Sequence, residues 1–229
     1  GAARPAARVA LPTMPMSLSQ MVSIIYVATK GIADEVPLEK MQAFEKGFHE
    51  FLAKKYPDVT NISGLISLGG PMSANDETSH VWIKPECALL KNSIRAGLPV
   101  VGICLGGQLM AKALGARVEK NRTGECGWFR IVLTNKGRMD HILNAAGKNP
   151  LVYHWHNDTF FLPVDGELLA CSDACERQAF RIGEAAYAFQ FHPEADGQLV
   201  GQWLSAQESE DEIRRARKTG NGNFIQDRT

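Results

Sequence analysis

The stretch GICLGGQLMAKALG, residues 102–115, sets a cysteine between two glycines where an apolar run gives way to helical spacing. Upstream, PVVGIC (99–104) is a short β-branched run of the kind buried in a parallel sheet; downstream, LGGQLMAKALG reads as a helix closed by Gly115. The G-x-C-x-G pattern around Cys104 predicts a sharp strand-to-helix turn, a nucleophile elbow with sulfur in place of the serine oxygen. Gly102 and Gly106 are needed there because the two backbones approach too closely for a β-carbon, and the nucleophile itself is held in a strained conformation. The helix that starts at Leu105 brings unpaired N–H groups and a positive dipole end to the sulfur, which favours its nucleophilic form.

Working outward from the elbow, strands and helices alternate. VSIIYVA (22–28) reads as a buried strand, and Met41, Phe44, Phe48, Phe51 and Leu52 recur at helical spacing in the segment after it. GLISLGG (64–70) is a strand entering a glycine turn, and PECALLKNSIRAG (85–97) a helix with proline in its first turn and Gly97 beyond its end. After Gly115 the rhythm changes: WFRIVLT (128–134), PLVYHWH (150–156), ELLACS (167–172), QAFRIG (178–183) and AYAFQFHP (186–193) are short strands with few helices between them. The last segments, DGQLVGQWLSAQ (196–207) and ESEDEIRRARK (208–218), are polar and helical. The expected fold is α/β, with a mixed, mainly parallel central sheet and helices on both faces.

Bulk properties narrow the function. The length of 229 residues fits one large domain over 21–229. The first twenty residues, rich in alanine and proline and without an acid, read as a disordered extension or as residues foreign to the native chain, with only a faint likeness to a transit peptide. Lys and Arg number 25 against 25 Asp and Glu, so no charge excess suggests a nucleic-acid groove or an anionic membrane surface. No run approaches the roughly 18 apolar residues of a membrane span. The expected partners are small molecules or protein. Cysteines 87, 104, 126, 171 and 175 have neither disulfide-framework nor zinc-site spacing, which points to a reducing cytoplasm and no metal. Cys87, Cys126, Cys171 and Cys175 read as small packed side chains.

A base for Cys104 stands downstream in AFQFHPEAD. His192 and Glu194 are two residues apart, so they share a face if the strand persists, and the carboxylate would fix the imidazole tautomer and support its charged form. LGGPMS (68–73) is a second strand running into a glycine turn, whose N–H groups could join that of Leu105 in meeting a developing oxyanion.

GICLGGQ, the GGPMS turn and QFHPE, in this order and at these separations, resemble the class I glutamine amidotransferases, whose fold is flavodoxin-like. ECGWFRIVLT, WHNDTFFLP and QAFRIG resemble the subgroup called GMP synthase-like. The likeness runs from about Val22 to Trp203. It implies Cys104 as nucleophile, His192 as general base and acid, and Glu194 as its orienter. It further implies oxyanion donors at Gly70 and Leu105, and substrate contacts from Gly69, Gln108, His156 and Asp158, with His154 structural and no cofactor. His156 and Asp158 read equally well as a hydrogen-bonded structural pair beside the sheet. The implied reaction is hydrolysis of the glutamine γ-amide through a thioester. No ATP-pyrophosphatase domain and no G-x-x-x-x-G-K loop accompany the motifs, so the ammonia would go to a synthase on another chain. Two other readings stand beside it: a non-catalytic regulatory subunit, and a γ-glutamyl peptidase. ATKGIADEVP (28–37), Ala195 and Asp196 depart from the family pattern.

Overall fold

The fold is that of a computed structural model, which describes residues 63–205 and 222–223. The strand expected at 22–28, the helix after it, the segment 208–218 and the first twenty residues lie outside the described residues. The elements, in chain order, are β1 (Leu65–Ser67), α1 (Ile83–Arg95), β2 (Val100–Ile103), α2 (Leu105–Ala113), β3 (Val118–Arg130) and β4 (Val132–Leu133). Then come α3 (Asn135–Met139), a 3₁₀ turn (Leu143–Ala146), β5 (Leu151–Phe160), β6 (Glu167–Cys171), β7 (Ala179–Ile182), β8 (Ala186–Phe189), α4 (Gly197–Ser205) and β9 (Gly222–Asn223).

The six-stranded sheet has the order β1-β2-β8-β7-β6-β4. Its first three strands are parallel, and β8, β7, β6 and β4 follow as antiparallel neighbours, which is the mixed α/β architecture expected. The alternation in AYAF shows how the layers are matched. Ala186 and Ala188 face the cluster that holds Leu90 of α1 and Leu109 and Met110 of α2, while Tyr187 and Phe189 face the opposite cluster with Ile131, Leu169 and Phe191. Small residues on the helix side let α2 come close: a β-carbon on Gly107 would lie 2.8 Å from the Phe189 carbonyl oxygen. Leu90, Leu109 and Met110 are fully buried, and each such side chain stabilises the fold by about 1.5–3 kcal/mol.

A second sheet of order β5-β3-β9 is dominated by the long antiparallel pair of β3 and β5. Here the sequence reading needs two corrections. The run WFRIVLT does not form one strand: Arg130 ends β3, Ile131 donates its N–H to the Pro150 carbonyl, and Val132–Leu133 joins the six-stranded sheet as β4. In addition β3 begins at Val118, ten residues before the predicted start, because pairing of Val118, Glu119, Lys120 and Glu125 with β5, on either side of an irregularity in register, replaces apolar alternation there. Among the described residues no helix is long and apolar enough to cross a membrane.

Candidate active site

The elbow is built as the glycines require. Cys104 has φ 52° and ψ −108°, and among the described residues it is the one non-glycine with positive φ. Such a conformation costs on the order of 1–3 kcal/mol and persists only where the surroundings impose it. Those surroundings are tight. A β-carbon on Gly102 would lie 2.7 Å from the Gly106 backbone, and one on Gly106 only 2.1 Å from the Ser67 carbonyl oxygen. The Cys104 N–H donates to the Phe189 carbonyl at 2.7 Å, which closes β2 against β8 at the turn.

His192 arrives by a different route from the one expected. Strand β8 ends at Phe189, and the His192 N–H donates to the Tyr153 carbonyl of β5 at 2.8 Å, in an isolated bridge. A turn follows, in which the Ala195 N–H reaches the His192 carbonyl at 3.3 Å, and this turn rather than strand alternation returns Glu194 to the ring. Glu194 Oε1 lies 2.8 Å from His192 Nδ1. Gly69 lies alongside: a β-carbon there would be 3.0 Å from His192 Cε1 and 3.4 Å from Cys104 Cβ. Cysteine, histidine and the GGPMS turn therefore meet at one point. Burial alone would depress the His192 pKa, but hydrogen bonding to Cys104 and Glu194, with their charges, outweighs it and pushes the value up to about 9. The edge of the Trp203 ring packs on the imidazole at a centroid distance of 5.0 Å.

The Cys104 thiol donates to the Trp155 carbonyl at 3.6 Å, and Gln190 Nε2 stands 4.0 Å from the sulfur. Gln108, one turn into α2, is buried, and its Nε2 donates to the Asp158 carbonyl at 3.2 Å and to Gln190 Oε1 at 3.3 Å. Leu105 is the first residue of α2, so its N–H has no intrahelical acceptor. Gly70 is exposed; a β-carbon on it would lie 2.7 Å from Met72 Sδ and 3.1 Å from Leu105 Cδ2. The GGPMS turn is pinned from two sides. Ser73 Oγ donates to Asp158 Oδ2 at 2.8 Å, and Lys112 Nζ of α2 donates to the Ala74 carbonyl at 2.8 Å.

Behind β5 lies a polar cluster that sequence reading did not group. Glu125 and His156 are direct cross-strand partners, and Glu125 Oε2 lies 3.0 Å from His156 Nε2. The same oxygen accepts from Gln178 Nε2 at 2.7 Å, and Oε1 accepts from Ser172 Oγ at 3.0 Å. Burial pushes the Glu125 carboxyl up, but the His156 hydrogen bond, the nearby histidines and Ser172 bring it below the usual carboxylate range. His154, fully buried, is depressed to about 4 by burial. One ligand atom from each of Glu125, His154 and His156 lies within 4.8 Å of the others, a set that could hold a metal ion. Yet the two carboxylate oxygens already accept three hydrogen bonds, so the network closes on protein donors. Glu125 opens the ECGWFRIVLT stretch that carries the resemblance, but nothing in that stretch marked its carboxylate as a group of the site. Gln190 did leave a signal: a glutamine inside the apolar run AFQF must be buried with a partner.

None of the five cysteines forms a disulfide, and burial pushes the Cys87 thiol up to about 11 and that of Cys175 upward as well.

Residues 40–208 match the family model described as glutamine amidotransferase class-I. A second model, ATP synthase alpha/beta chain, C terminal domain, matches 12–67, nearly all outside the described residues. A glutamine amidotransferase-like protein of Salmonella typhimurium, YfeJ, is 35% identical over 141 residues, 60% of this chain and 59% of that one. The glutamine-hydrolyzing GMP synthase of Edwardsiella ictaluri is 36% identical over 152 residues, 63% of this chain and 27% of that one. The chain thus spans less than two thirds of the length of either relative. A crystal structure of a glutamine amidotransferase from Thermotoga maritima superposes with a TM-score of 0.59 at 30% identity, over 66% of this chain and 65% of that one.

Proposed function

The chain belongs to the class-I glutamine amidotransferase family, and from that membership we propose that it hydrolyses the γ-amide of glutamine and delivers the ammonia to a synthase on a separate chain in the cytoplasm. The observation that carries the proposal is the meeting of a strained Cys104, a His192 raised to about 9 and Glu194 at 2.8 Å from its Nδ1. With Nδ1 held by the carboxylate, Nε2 is left for the sulfur. His192, raised to about 9, takes the thiol proton before the attack, Cys104 Sγ then attacks the amide carbon, and the ring gives that proton to the departing ammonia. A water then attacks the thioester, giving its proton through the same ring to the leaving sulfur, and glutamate departs.

The N–H groups of Leu105 and Gly70 are the proposed donors to the oxyanion of both steps, with Gly69 leaving room beside the ring. Gln108 is the proposed substrate contact from α2. Its Nε2 is already committed to two acceptors, so the atom it offers a ligand is the acceptor Oε1, which suits the α-ammonium group of an amino acid.

The test offers purified protein glutamine and a set of γ-glutamyl peptides, with ammonia, glutamate and released amine measured separately. Glutamine turnover abolished by Cys104→Ala is expected, with His192→Ala more damaging to kcat than Glu194→Gln, since the second leaves a mis-oriented base in place. A preference of about a hundredfold or more for the peptides, roughly 2.7 kcal/mol at the transition state, would replace ammonia delivery by a peptidase. No turnover of either class, with Cys104 inert to a glutamine-like electrophile, would leave the non-catalytic reading.

A further inference from the structure

We propose that Glu125, which lies behind the site on β3, is a positioning residue for the glutamine subsite and acts through His156 on Gln108. The inference rests on the function proposed above only in taking glutamine as the ligand. Four observations carry it. Glu125 is nearly fully buried, at 5% exposure, and stands opposite His156 in register, just after the irregularity in pairing between Lys120 and Glu125 that re-aims β3. The His156 ring is committed at both nitrogens, Nε2 to Glu125 Oε2 and Nδ1 to the Asp158 carbonyl, each at 3.0 Å. The Asp158 carbonyl also accepts from Gln108 Nε2 at 3.2 Å, so ring and amide converge on one oxygen. Finally, Gln108 Nε2 reaches Gln190 Oε1, and Gln190 Nε2 faces the Cys104 sulfur.

A chain of contacts thus runs from a buried carboxylate to the side chain proposed to hold the substrate. Every link is a side chain or carbonyl that the neighbouring link orients. A buried carboxylate is costly to desolvate, and its three donors offset that cost only while they stay in place, so Glu125 resists any rotation of His156. Both ring nitrogens face acceptors, so the two contacts are hydrogen bonds together when the ring carries both N–H groups, and His156 then cannot swing toward a ligand without abandoning them. It therefore works as a strut for the Asp158 carbonyl, and the orientation of the Gln108 amide, Oε1 toward the site, follows from that carbonyl. In this arrangement His156 shapes the subsite without touching glutamine.

The experiment measures glutamine affinity by calorimetry and, alongside, steady-state turnover and the rate at which iodoacetamide alkylates Cys104. Glu125→Met keeps the side-chain length and removes the acceptor. Its Kd and KM for glutamine should rise at least about tenfold, with kcat changed less than about threefold, because binding rather than the chemical step is lost. Alkylation, which needs no glutamine subsite, should stay within about twofold of wild type. Glu125→Gln keeps an acceptor for His156 and Gln178, the contact the proposal needs, so it should restore Kd to within about threefold. It should do so even though its amide turns a donor toward Ser172 Oγ, which already accepts from Gln178 Nε2 and the Cys175 N–H.

An affinity for glutamine within about twofold of wild type in Glu125→Met would overturn the proposal. So would equal losses in the Met and Gln variants, which would signal the removal of charge alone. If Glu125→Met does not fold, His156→Leu replaces it with the same expected loss of affinity, and failure of both to fold makes Glu125 a stability residue and overturns the positioning role. A wild-type chain that binds glutamine without hydrolysing it would defeat the hydrolysis proposal alone. One that binds no glutamine would defeat the inference.

Discussion

The two walls of the site are made in opposite ways. The elbow between β2 and α2 is apolar and glycine-tight, and its geometry follows from backbones too close for a β-carbon at Gly102 and Gly106. The antiparallel β3–β5 pair opposite is a hairpin-like ribbon whose strands are separated in sequence by β4 and α3. It is polar inside, with Glu125, His154, His156 and Asp158 all buried and Glu125, His156 and Asp158 joined by hydrogen bonds of their side chains. In the first wall a local pattern of residues dictates the shape. In the second, shape depends on partners brought together across strands, and a single substitution is felt through its hydrogen-bond partners rather than through the chain.

The sharpest way to probe the elbow is at Cys104 itself. Cys104→Gly removes the proposed nucleophile and relieves the strain of φ 52° at once. Glutamine turnover should fall by about four orders of magnitude or more, while stability rises by about 1 kcal/mol after the entropic cost of glycine in the unfolded chain. Chemical denaturation beside an activity assay checks both. A variant less stable than wild type would mean that the elbow is not strained.

Glycines separate the walls next. Gly106→Ala would drive a β-carbon to 2.1 Å from the Ser67 carbonyl oxygen, a backbone atom that cannot yield without shifting β1. A loss of about 3 kcal/mol or more is expected. Gly124→Ala on the hairpin meets Asn157 Oδ1 at 2.5 Å, but this is the tip of an exposed side chain that can rotate away. Its cost should stay within about 1 kcal/mol. Equal losses in the two denaturation midpoints would erase the contrast between a wall set by backbone and one set by side chains.

That contrast also explains what was legible in the sequence. Cys104, its flanking glycines, β2, α2 and α1 could be read because strand periodicity, helix spacing and the glycine turn all act within a few residues. The two-residue separation of His192 and Glu194 pointed to their contact, although a turn rather than a continued strand makes it. The start of β3 was hidden because only Val118 is apolar in 118–125, and the pairing that sustains it comes from β5. Glu125 was hidden for the same reason: a glutamate in a polar stretch is indistinguishable from a surface one until the register sets it opposite His156. His156 and Asp158 were singled out through resemblance, yet their bonds to Glu125 and Ser73 needed the fold.

His154 of β5 and His192 on the segment after β8, both buried, should titrate in opposite directions. His192 is raised to about 9 and His154 lowered to about 4, from an ordinary 6.5. The His192 contribution to stability is fully present below about 6.5 and is lost as pH rises through about 9. That of neutral His154 is present above about 6.5 and is lost as pH falls toward about 4, because the unfolded chain takes up the proton first. Each is worth at most about 3 kcal/mol. Imidazole NMR titrations should show His192 moving toward 6.5 in Cys104→Ala, which removes one of its two partners, with His154 unmoved. A His192 that titrates near 6.5 in wild type would refute the raised value.

The smallest effect is expected where the walls are stapled. The GGPMS turn is tied to the elbow's helix by Lys112 Nζ on the Ala74 carbonyl, and to the hairpin by Ser73 Oγ on Asp158 Oδ2. Ser73→Ala removes the second tie and leaves the first, so the turn stays near the site with more freedom at Gly69 and Gly70. The stability cost should be about 1 kcal/mol, the net worth of one hydrogen bond to a charged group that keeps another partner. Asp158 does keep one, because Lys120 Nζ approaches its Oδ1 at 2.6 Å from the surface. If the turn supplies an oxyanion donor, kcat should fall by about threefold to tenfold while KM holds, since the loosened N–H is used in the transition state and not in binding. A rise in KM at constant kcat would instead assign Ser73 and Asp158 to the substrate subsite, joining the turn to the Glu125 network. An unchanged kcat and KM would show that Lys112 alone suffices to hold the turn, and the hairpin would then act on the site only through Gln108 and the Trp155 carbonyl.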